Sequence, residues 1–249
     1  IKKEKIFTDK LHTLAYGTDA SFYRLIPKIV IKTDNAKEVQ DIIELSHSMN
    51  LSITFRAAGT SLSGQAISDS ILIITSRNFS NFKISPDASF ISLQPALTGA
   101  QVNGLLARYS KKIGPDPASI NAAMIGGIAA NNASGMCCGI SQNSYKTLKS
   151  MKLIFADGAK LDTGCQESKD AFRKTHGDFL KELKNFSNDT KNNEELRAKI
   201  ERKFKIKNTC GYSLNALIDF EDEFEILEHL IIGSEGTLAF IEEITYYTV

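Results

Sequence analysis

A glycine- and hydroxyl-rich run that directly follows an apolar strand is the feature that most constrains this chain. Residues 29–32 have the β-branched composition of a strand, residues 35–49 have the apolar spacing of an amphipathic helix, and residues 51–55 form a second strand. A strand-helix-strand unit of this length predicts a parallel pair with a right-handed crossover. The run 57–64 begins where the second strand ends, and ligand loops gather at the carboxyl ends of parallel strands.

The composition of this run is that of an anion-binding loop. Gly59 and Gly64 can adopt positive φ, and Thr60, Ser61 and Ser63 add hydroxyl groups to exposed backbone N–H donors. This chemistry predicts phosphate binding, with a tight turn that binds nothing as the alternative. The run lacks the Lys-Ser/Thr ending of a nucleoside-triphosphatase loop and does not fit the three-glycine dinucleotide fingerprint, so both common nucleotide folds are disfavoured.

Two further segments of the same character lie downstream, at residues 114–135 and 232–238. All three segments are small, polar and rich in glycine. On these residues the chain resembles the FAD-binding domain of flavoproteins of the vanillyl-alcohol-oxidase (PCMH) type, and within them the glycolate oxidase and D-lactate dehydrogenase branch. The resemblance runs from about residue 27 to residue 249.

The resemblance implies an α+β fold with two lobes, a small one with a parallel or mixed sheet and a larger one with an antiparallel sheet and flanking helices. We expect a lead segment over 1–26, a first lobe over 27–119 and a second lobe over 120–249. A charged helical insertion is expected at about 166–207. Family members carry a substrate-covering cap domain after the FAD domain, and we expect that domain to be absent from this chain.

Local patterns extend this outline. Residues 71–75 and 90–94 are expected to continue the first sheet, and residues 101–109 to form a helix. Apolar segments on either side of Ala156-Asp157-Gly158 predict a β-hairpin.

The resemblance also implies that the three segments line an FAD. Its pyrophosphate is best met by backbone N–H groups, for which residues 58–64 are the first choice. The residues expected to bind the cofactor are Arg56, Ala58, Gly59, Thr60, Ser61, Leu62, Ser63, Gly64, Pro115, Asp116, Gly126, Gly127, Asn132, Ala133, Ser134, Gly135, Gly236, Thr237 and Leu238.

Several of these residues have an alternative role. Arg56 could serve the phosphate charge or anchor the loop, and Asp116 could cap a turn. Gly126 and Gly127 would let the backbone run against the flat flavin ring or would permit a close crossing of elements. Relatives that attach FAD covalently often carry a histidine where this chain has Thr60, so we expect the FAD to be non-covalent.

The function implied by the resemblance is the oxidation of a small D-2-hydroxy acid, D-lactate first, with hydride transfer to the flavin. No catalytic base is assigned, because Tyr145, Tyr212 and His229 each fit a structural role. The rival functions are an FAD-carrying electron-transfer subunit, as in molybdenum hydroxylases, and an enolpyruvyl-sugar reductase. Residues 207–215 resemble the larger D-lactate dehydrogenases, so a downstream iron–sulfur domain or an electron acceptor is an expected partner.

Composition argues against several other classes of protein. The formal net charge of +1 argues against nucleic-acid binding, and no apolar run reaches the about 18–20 residues that span a bilayer. The four cysteines and four histidines lack the spacing of a disulfide framework or a metal site, so no metal is expected. We expect a cytoplasmic protein, with any membrane contact peripheral at the inner face.

Overall fold

Four strands of the N-terminal part form a mixed sheet in the computed structural model, which describes residues 1–249. The strands are β1 (Ile6–Phe7), β2 (Ile29–Thr33), β3 (Ile53–Arg56) and β4 (Ile71–Thr75), in the order β1-β2-β4-β3. Helix α1 (Lys10–Ala15) follows β1, and helix α2 (Ala36–Ser48) connects β2 to β3. The expected lead segment therefore supplies an edge strand, since β1 pairs antiparallel with β2.

Strand β4 lies between β2 and β3 and is parallel to both. The prediction that β2 and β3 are adjacent was therefore wrong, although they do run parallel. Burial explains the order: four of the five residues of β4 are buried, whereas all four residues of β3 are only half-buried. A strand that is apolar along its length is best placed in the centre of a parallel sheet.

Five further strands form an antiparallel sheet, β5-β6-β9-β7-β8. They are β5 (Phe82–Ile84), β6 (Phe90–Leu93), β7 (Leu148–Ile154), β8 (Lys160–Asp162) and β9 (Phe240–Tyr247). The predicted hairpin is confirmed as β7 and β8. The strand at 90–94 was expected to continue the first sheet, but it pairs with β9 of the second sheet. The boundary between the two sheets therefore falls between β4 and β5, earlier in the chain than the end of the first lobe expected at residue 119.

Seven helices accompany this second sheet. They are α3 (Gly99–Leu106), α4 (Ile125–Asn131), α5 (Ser144–Thr147), α6 (Gln166–Asn192), α7 (Glu194–Phe204), α8 (Ala216–Asp219) and α9 (Glu223–Ile231). Helices α6 and α7 account for most of the predicted charged insertion. Helix α6 buries Phe172 and Leu180, whereas α7 buries only Ile200. No helix in the structure combines the length and the apolar character that crossing a bilayer requires.

The core has one large part and a smaller junction between the two sheets. A cluster of 26 buried residues packs the second sheet against its helices, with Ile244 of β9 and Phe224 of α9 fully buried. A second cluster brings Val39 and Ile43 of α2 against Phe240 of β9, with Phe55 of β3 packed on its edge. The α+β arrangement of a small mixed sheet and a larger antiparallel sheet is thereby confirmed.

Candidate functional site

A cleft of about 590 Å³ lies between the two sheets and is lined by 33 residues. The loop after β3 contributes residues 57–63, 65 and 66 to the lining. Helix α4, residues 133–134 beyond it, residues 235–236 and residues 239–241 contribute further parts. Residues 207 and 209–211 also line the cleft, so loops distant in the sequence meet around a single space.

Twelve of the residues expected to bind the cofactor border this cleft. They are Arg56, Ala58, Gly59, Thr60, Ser61, Leu62, Ser63, Gly126, Gly127, Ala133, Ser134 and Gly236. Seven others lie outside its lining, namely Gly64, Pro115, Asp116, Asn132, Gly135, Thr237 and Leu238. A binding role stays a prediction for every one of these residues.

The loop after β3 offers a row of free backbone donors. The N–H groups of residues 58–62 make no hydrogen bond within the protein. Gly59 has φ +72° and Gly64 has φ +79°, a conformation that L side chains rarely adopt. Successive unpaired N–H groups in a turn form a concave site for an anion, which suits the loop to a phosphate.

Arg56 fixes this loop to the N-terminal segment. Its Nη1 donates to the carbonyl oxygens of Thr18 at 2.8 Å, of Tyr16 at 3.3 Å and of Ala66 at 3.3 Å. Burial lowers the pKa of the guanidinium, and Asp19 opposes this shift. Two roles were expected for Arg56, binding the phosphate charge or anchoring the loop. Its contacts are those of an anchor, because all three partners are carbonyl groups of the protein.

Two glycines let α4 approach the other elements closely. Gly126 donates its N–H to the Pro95 carbonyl at 3.1 Å, and a Cβ at Gly126 would lie 2.7 Å from the Cβ of Pro95. A Cβ at Gly127 would lie 3.2 Å from the Cβ of Ala57. The close crossing that was the alternative for this pair therefore accounts for Gly126, while both residues still border the cleft.

Asp116 and Asn132 shape the loop beyond α4 and do not line the cleft. Asp116 Oδ1 accepts hydrogen bonds from the N–H groups of Gly135 at 2.9 Å and Cys138 at 3.3 Å. Burial raises the pKa of Asp116, but the hydrogen bonds from Cys138 and Gly135 outweigh it, so the pKa is lowered. Asn132 has φ +50°, and its Oδ1 accepts from the Tyr145 N–H at 3.3 Å. The two hydrogen bonds of Asp116 are those expected if it caps a turn, which was the alternative to cofactor binding.

A half-buried acid, Glu235, joins three segments of the cleft, and sequence reasoning missed it. Glu235 Oε1 accepts from Asn131 Nδ2 at 2.5 Å and from Gln65 Nε2 at 3.4 Å. Glu235 has φ +55°, and burial raises the pKa of its carboxyl group. Its position within the glycine-rich segment 232–238 was the available signal.

Residues 207–211 were also missed as part of the site. Lys207 Nζ donates to the Ser134 carbonyl oxygen, which holds this segment against the loop after α4. Thr209, Cys210 and Gly211 complete the wall. The family resemblance of residues 207–215 was the signal that could have identified them.

Unpaired polar groups at the cleft test whether a dinucleotide fits. Thr75 Oγ1 and Ser134 Oγ are buried without a hydrogen-bond partner, and both residues border the cleft. Free N–H groups at 58–62 suit a pyrophosphate, and apolar residues such as Phe55 and Phe240 suit a flat ring. The residues present therefore fit an FAD.

The fold and the cleft thus define a dinucleotide-binding domain, and comparison with known proteins specifies it further. The chain matches the family model described as "FAD binding domain" over residues 27–164, which is more than half of its length. The chain belongs to this family of FAD-binding domains.

The relatives are named for 2-hydroxy acids. The chain is 27% identical to D-2-hydroxyglutarate dehydrogenase of Haemophilus influenzae, with 96% of this chain and 24% of that protein covered. It is 29% identical to glycolate oxidase subunit GlcD of Escherichia coli, with 62% and 32% covered. It is 24% identical to D-lactate dehydrogenase of Archaeoglobus fulgidus, with 87% and 38% covered. The chain spans about a quarter of the length of the D-2-hydroxyglutarate dehydrogenases that it matches.

Solved structures show the same fold. The whole chain superimposes on 38% of alkyldihydroxyacetonephosphate synthase with a TM-score of 0.65 and 16% sequence identity. At this identity the likeness concerns the fold alone.

Proposed function

We propose that this chain is the FAD-binding domain of a flavin-dependent D-2-hydroxy-acid dehydrogenase. The observation that carries the proposal is the row of free N–H groups at residues 58–62, in a loop that lines the cleft between the two sheets. Relatives named as dehydrogenases or oxidases of D-2-hydroxyglutarate, D-lactate and glycolate support the reaction class.

Each part of the cleft has a distinct role in this proposal. The N–H groups of residues 58–62 bind the pyrophosphate, and Arg56 holds that loop in place through its three carbonyl partners. Ser134 offers its unpaired hydroxyl to a polar group of the cofactor. Gly127 allows α4 to lie against the loop without a side chain between them. A bound FAD would supply the hydride acceptor for oxidation of the carbon that carries the substrate hydroxyl.

The FAD is non-covalent in this proposal. The loop carries Thr60 where covalent relatives often carry histidine. None of the four histidines, His12, His47, His176 and His229, borders the cleft.

D-Lactate is the substrate expected from the sequence, and D-2-hydroxyglutarate is the second candidate. D-2-Hydroxyglutarate is included because dehydrogenases named for it align with up to 96% of this chain. Both are small D-2-hydroxy acids, so the reaction proposed for the cleft is the same.

No residue of this chain is proposed as the catalytic base. The Tyr145 hydroxyl lies 2.8 Å from Asp219 Oδ2, and His229 Nδ1 lies 2.7 Å from the Glu225 carbonyl oxygen. Both side chains are thereby engaged in packing away from the cleft. A cap domain, and an iron–sulfur domain or another electron acceptor, belong to the proposal as partners. A cytoplasmic location, with any membrane contact peripheral, also belongs to it.

The visible spectrum of the purified chain tests the proposal. We expect flavin bands to shift on binding when FAD is added. Bleaching by D-lactate or D-2-hydroxyglutarate without oxygen would establish both the cofactor and the substrate class within this chain. Bands that shift but do not bleach with either acid would support the cofactor site and place the substrate chemistry outside this chain. A folded sample that leaves the FAD spectrum unchanged would contradict the proposal.

A further inference from the structure

Two threonines occupy equivalent positions at the carboxyl ends of neighbouring strands but differ in one respect. Thr33 ends β2, Thr75 ends β4, and the two are register partners in the parallel sheet. Thr33 Oγ1 donates to the Ile74 carbonyl oxygen at 3.4 Å. Thr75 is only 7% exposed, and its buried Oγ1 has no hydrogen-bond partner.

An unpaired buried hydroxyl is unfavourable, because the group has lost its water and gained nothing in return. Thr75 borders the cleft, whereas Thr33 does not. The position of Thr75 therefore makes sense if a ligand in the cleft completes its hydrogen bonding.

The surroundings of Thr75 indicate what kind of ligand group this is. Thr75 follows Ile73, the register partner of Phe55, by two residues, so Thr75 and Phe55 point to the same face of the first sheet. Phe55, Pro95, Met124 and Phe240 also line the cleft, Phe55 and Met124 pack against the cluster that contains Phe240, and the ring centroids of Phe55 and Phe240 lie 5.0 Å apart. We call these four residues with Thr75 the apolar recess. An apolar recess with one hydroxyl suits a flat heteroaromatic ring, because the aromatic walls contact its faces and the hydroxyl meets one polar atom at its edge.

FAD contains two such rings, and access distinguishes them. The isoalloxazine ring must be reached by the substrate, so it needs the open part of the cleft, near the exposed residues Leu62 and Cys210. The recess is less accessible, since Thr75, Pro95 and Phe240 are buried and Phe55 and Met124 are half-buried. The recess is therefore left for the adenine, whose amino group and ring nitrogens can pair with a threonine hydroxyl as donor or acceptor.

We infer that Thr75 is a specificity-determining residue that recognises the adenine ring of the dinucleotide from the end of β4. This inference rests on the proposed function, because it takes FAD as the occupant of the cleft. It adds a residue that lies outside the three glycine-rich segments.

The test compares Thr75→Val with Thr75→Ser and with Thr33→Val as the matched control. Binding of FAD, FMN and ADP to each purified variant is measured by calorimetry, since FMN lacks the adenine and ADP lacks the flavin. We expect Thr75→Val to weaken FAD and ADP binding by about three- to tenfold, as loss of one neutral hydrogen bond does, and to leave FMN unchanged. Thr75→Ser keeps the hydroxyl, and its affinity for FAD should stay within about twofold of the parent.

Thr33→Val should leave all three affinities unchanged and lower only the stability of the protein. Wild-type binding of FAD and ADP by Thr75→Val would overturn the inference alone. FMN binding weakened as much as FAD binding would also overturn it, because the hydroxyl would then serve the flavin half. Failure of the unmodified chain to bind FAD would overturn the proposed function and this inference with it.

Discussion

Arg56 Nη1 donates a hydrogen bond to the carbonyl oxygen of Thr18 at 2.8 Å, which joins the end of β3 to the segment that follows α1. Two weaker hydrogen bonds from the same nitrogen reach Tyr16 and Ala66. The loop that carries the free N–H groups therefore begins at Arg56, which is hydrogen-bonded both to the N-terminal segment and to Ala66, beyond those N–H groups. Rigid placement of such donors reduces the entropy lost when an anion binds.

Replacing Arg56 by Met should uncouple the loop from the N-terminal segment. A charged hydrogen bond contributes about 1.5–3 kcal/mol, and only the 2.8 Å bond to Thr18 is short, so we expect a loss of about 2–3 kcal/mol in the free energy of unfolding and a clear loss of FAD affinity. Urea denaturation and FAD titration measure the two effects. Arg108→Met is the control, because the Arg108 guanidinium lies over the ring of Tyr109 and Arg108 does not line the cleft. Equal behaviour of the two variants would contradict the anchoring role.

Gly59→Ala should damage the same loop by a different route. The backbone at Gly59 has φ +72°, and a Cβ there would collide with the Arg56 guanidinium. Adopting that conformation with a side chain costs about 1–2 kcal/mol, before any displacement of Arg56. Gly104→Ala is the matched control, since its Cβ would meet nothing within 4 Å inside α3. It should stabilise the protein by about 0.5–1 kcal/mol, and thermal unfolding of both variants checks the opposite signs.

The local parts of the fold could be predicted because short-range patterns determine them. The run Ile71–Thr75 is mostly β-branched and is apolar up to its last residue, so its strand bounds were predicted to the residue. Its place between β2 and β3 could not be predicted in this way, because it depends on which strand buries most surface once the sheet forms. The transfer of Phe90–Leu93 to the second sheet likewise depends on its pairing with β9, about 150 residues later.

The candidate site divides in the same manner. Gly59 could be predicted, since positive φ after a strand is a local demand. Glu235 meets Asn131 and Gln65 across sequence separations of 104 and 170 residues, which no local pattern encodes. Asp116 was expected to bind the cofactor because it lies in one of the three glycine-rich segments, but its carboxylate accepts hydrogen bonds from the N–H groups of Gly135 and Cys138.

Two adjacent residues of α9 should make stability depend on pH in opposite directions. Burial raises the pKa of Glu228 to about 7, so its contribution is present below pH 4.5 and is lost as the pH rises toward 7. Burial lowers the pKa of His229 to about 4, so its contribution is present above pH 6.5 and is lost as the pH falls toward 4.

Urea denaturation of Glu228→Gln and His229→Gln between pH 4 and pH 7.5 separates the two contributions. Relative to the parent, Glu228→Gln should gain about 2–3 kcal/mol as the pH rises through this window. His229→Gln should lose a similar amount over the same window, relative to the parent. A difference in the free energy of unfolding between variant and parent that stays constant with pH would contradict a pKa change of the replaced group between the unfolded and folded states.

The proposed non-covalent state of FAD predicts a simple outcome. Acid precipitation of the FAD-loaded chain should leave the yellow flavin in the supernatant, because Thr60 offers no imidazole for attachment. Yellow colour retained on the washed precipitate would contradict it. Thr60→His is an informative companion, since flavin retained only by that variant would show that the ring lies beside residue 60.

Ser134→Ala should have opposite effects on the empty and the loaded protein. Ser134 Oγ is buried without a partner, and an unsatisfied hydroxyl costs about 1–3 kcal/mol. Removing it should therefore stabilise the protein without FAD by about 1 kcal/mol. If that hydroxyl meets a polar group of FAD, the same change should weaken FAD binding by about three- to tenfold.

Ser187→Ala is the matched control for this pair of measurements. Ser187 is buried, as Ser134 is, but its Oγ donates to the Leu217 carbonyl oxygen at 2.6 Å. Its removal should destabilise the protein in both states by about 1 kcal/mol, because the carbonyl loses its partner, and should leave FAD affinity unchanged. Thermal unfolding with and without FAD reports both effects. A Ser134→Ala variant that is less stable when empty, as Ser187→Ala should be, would show that the Ser134 hydroxyl has a protein partner and is not held for a ligand.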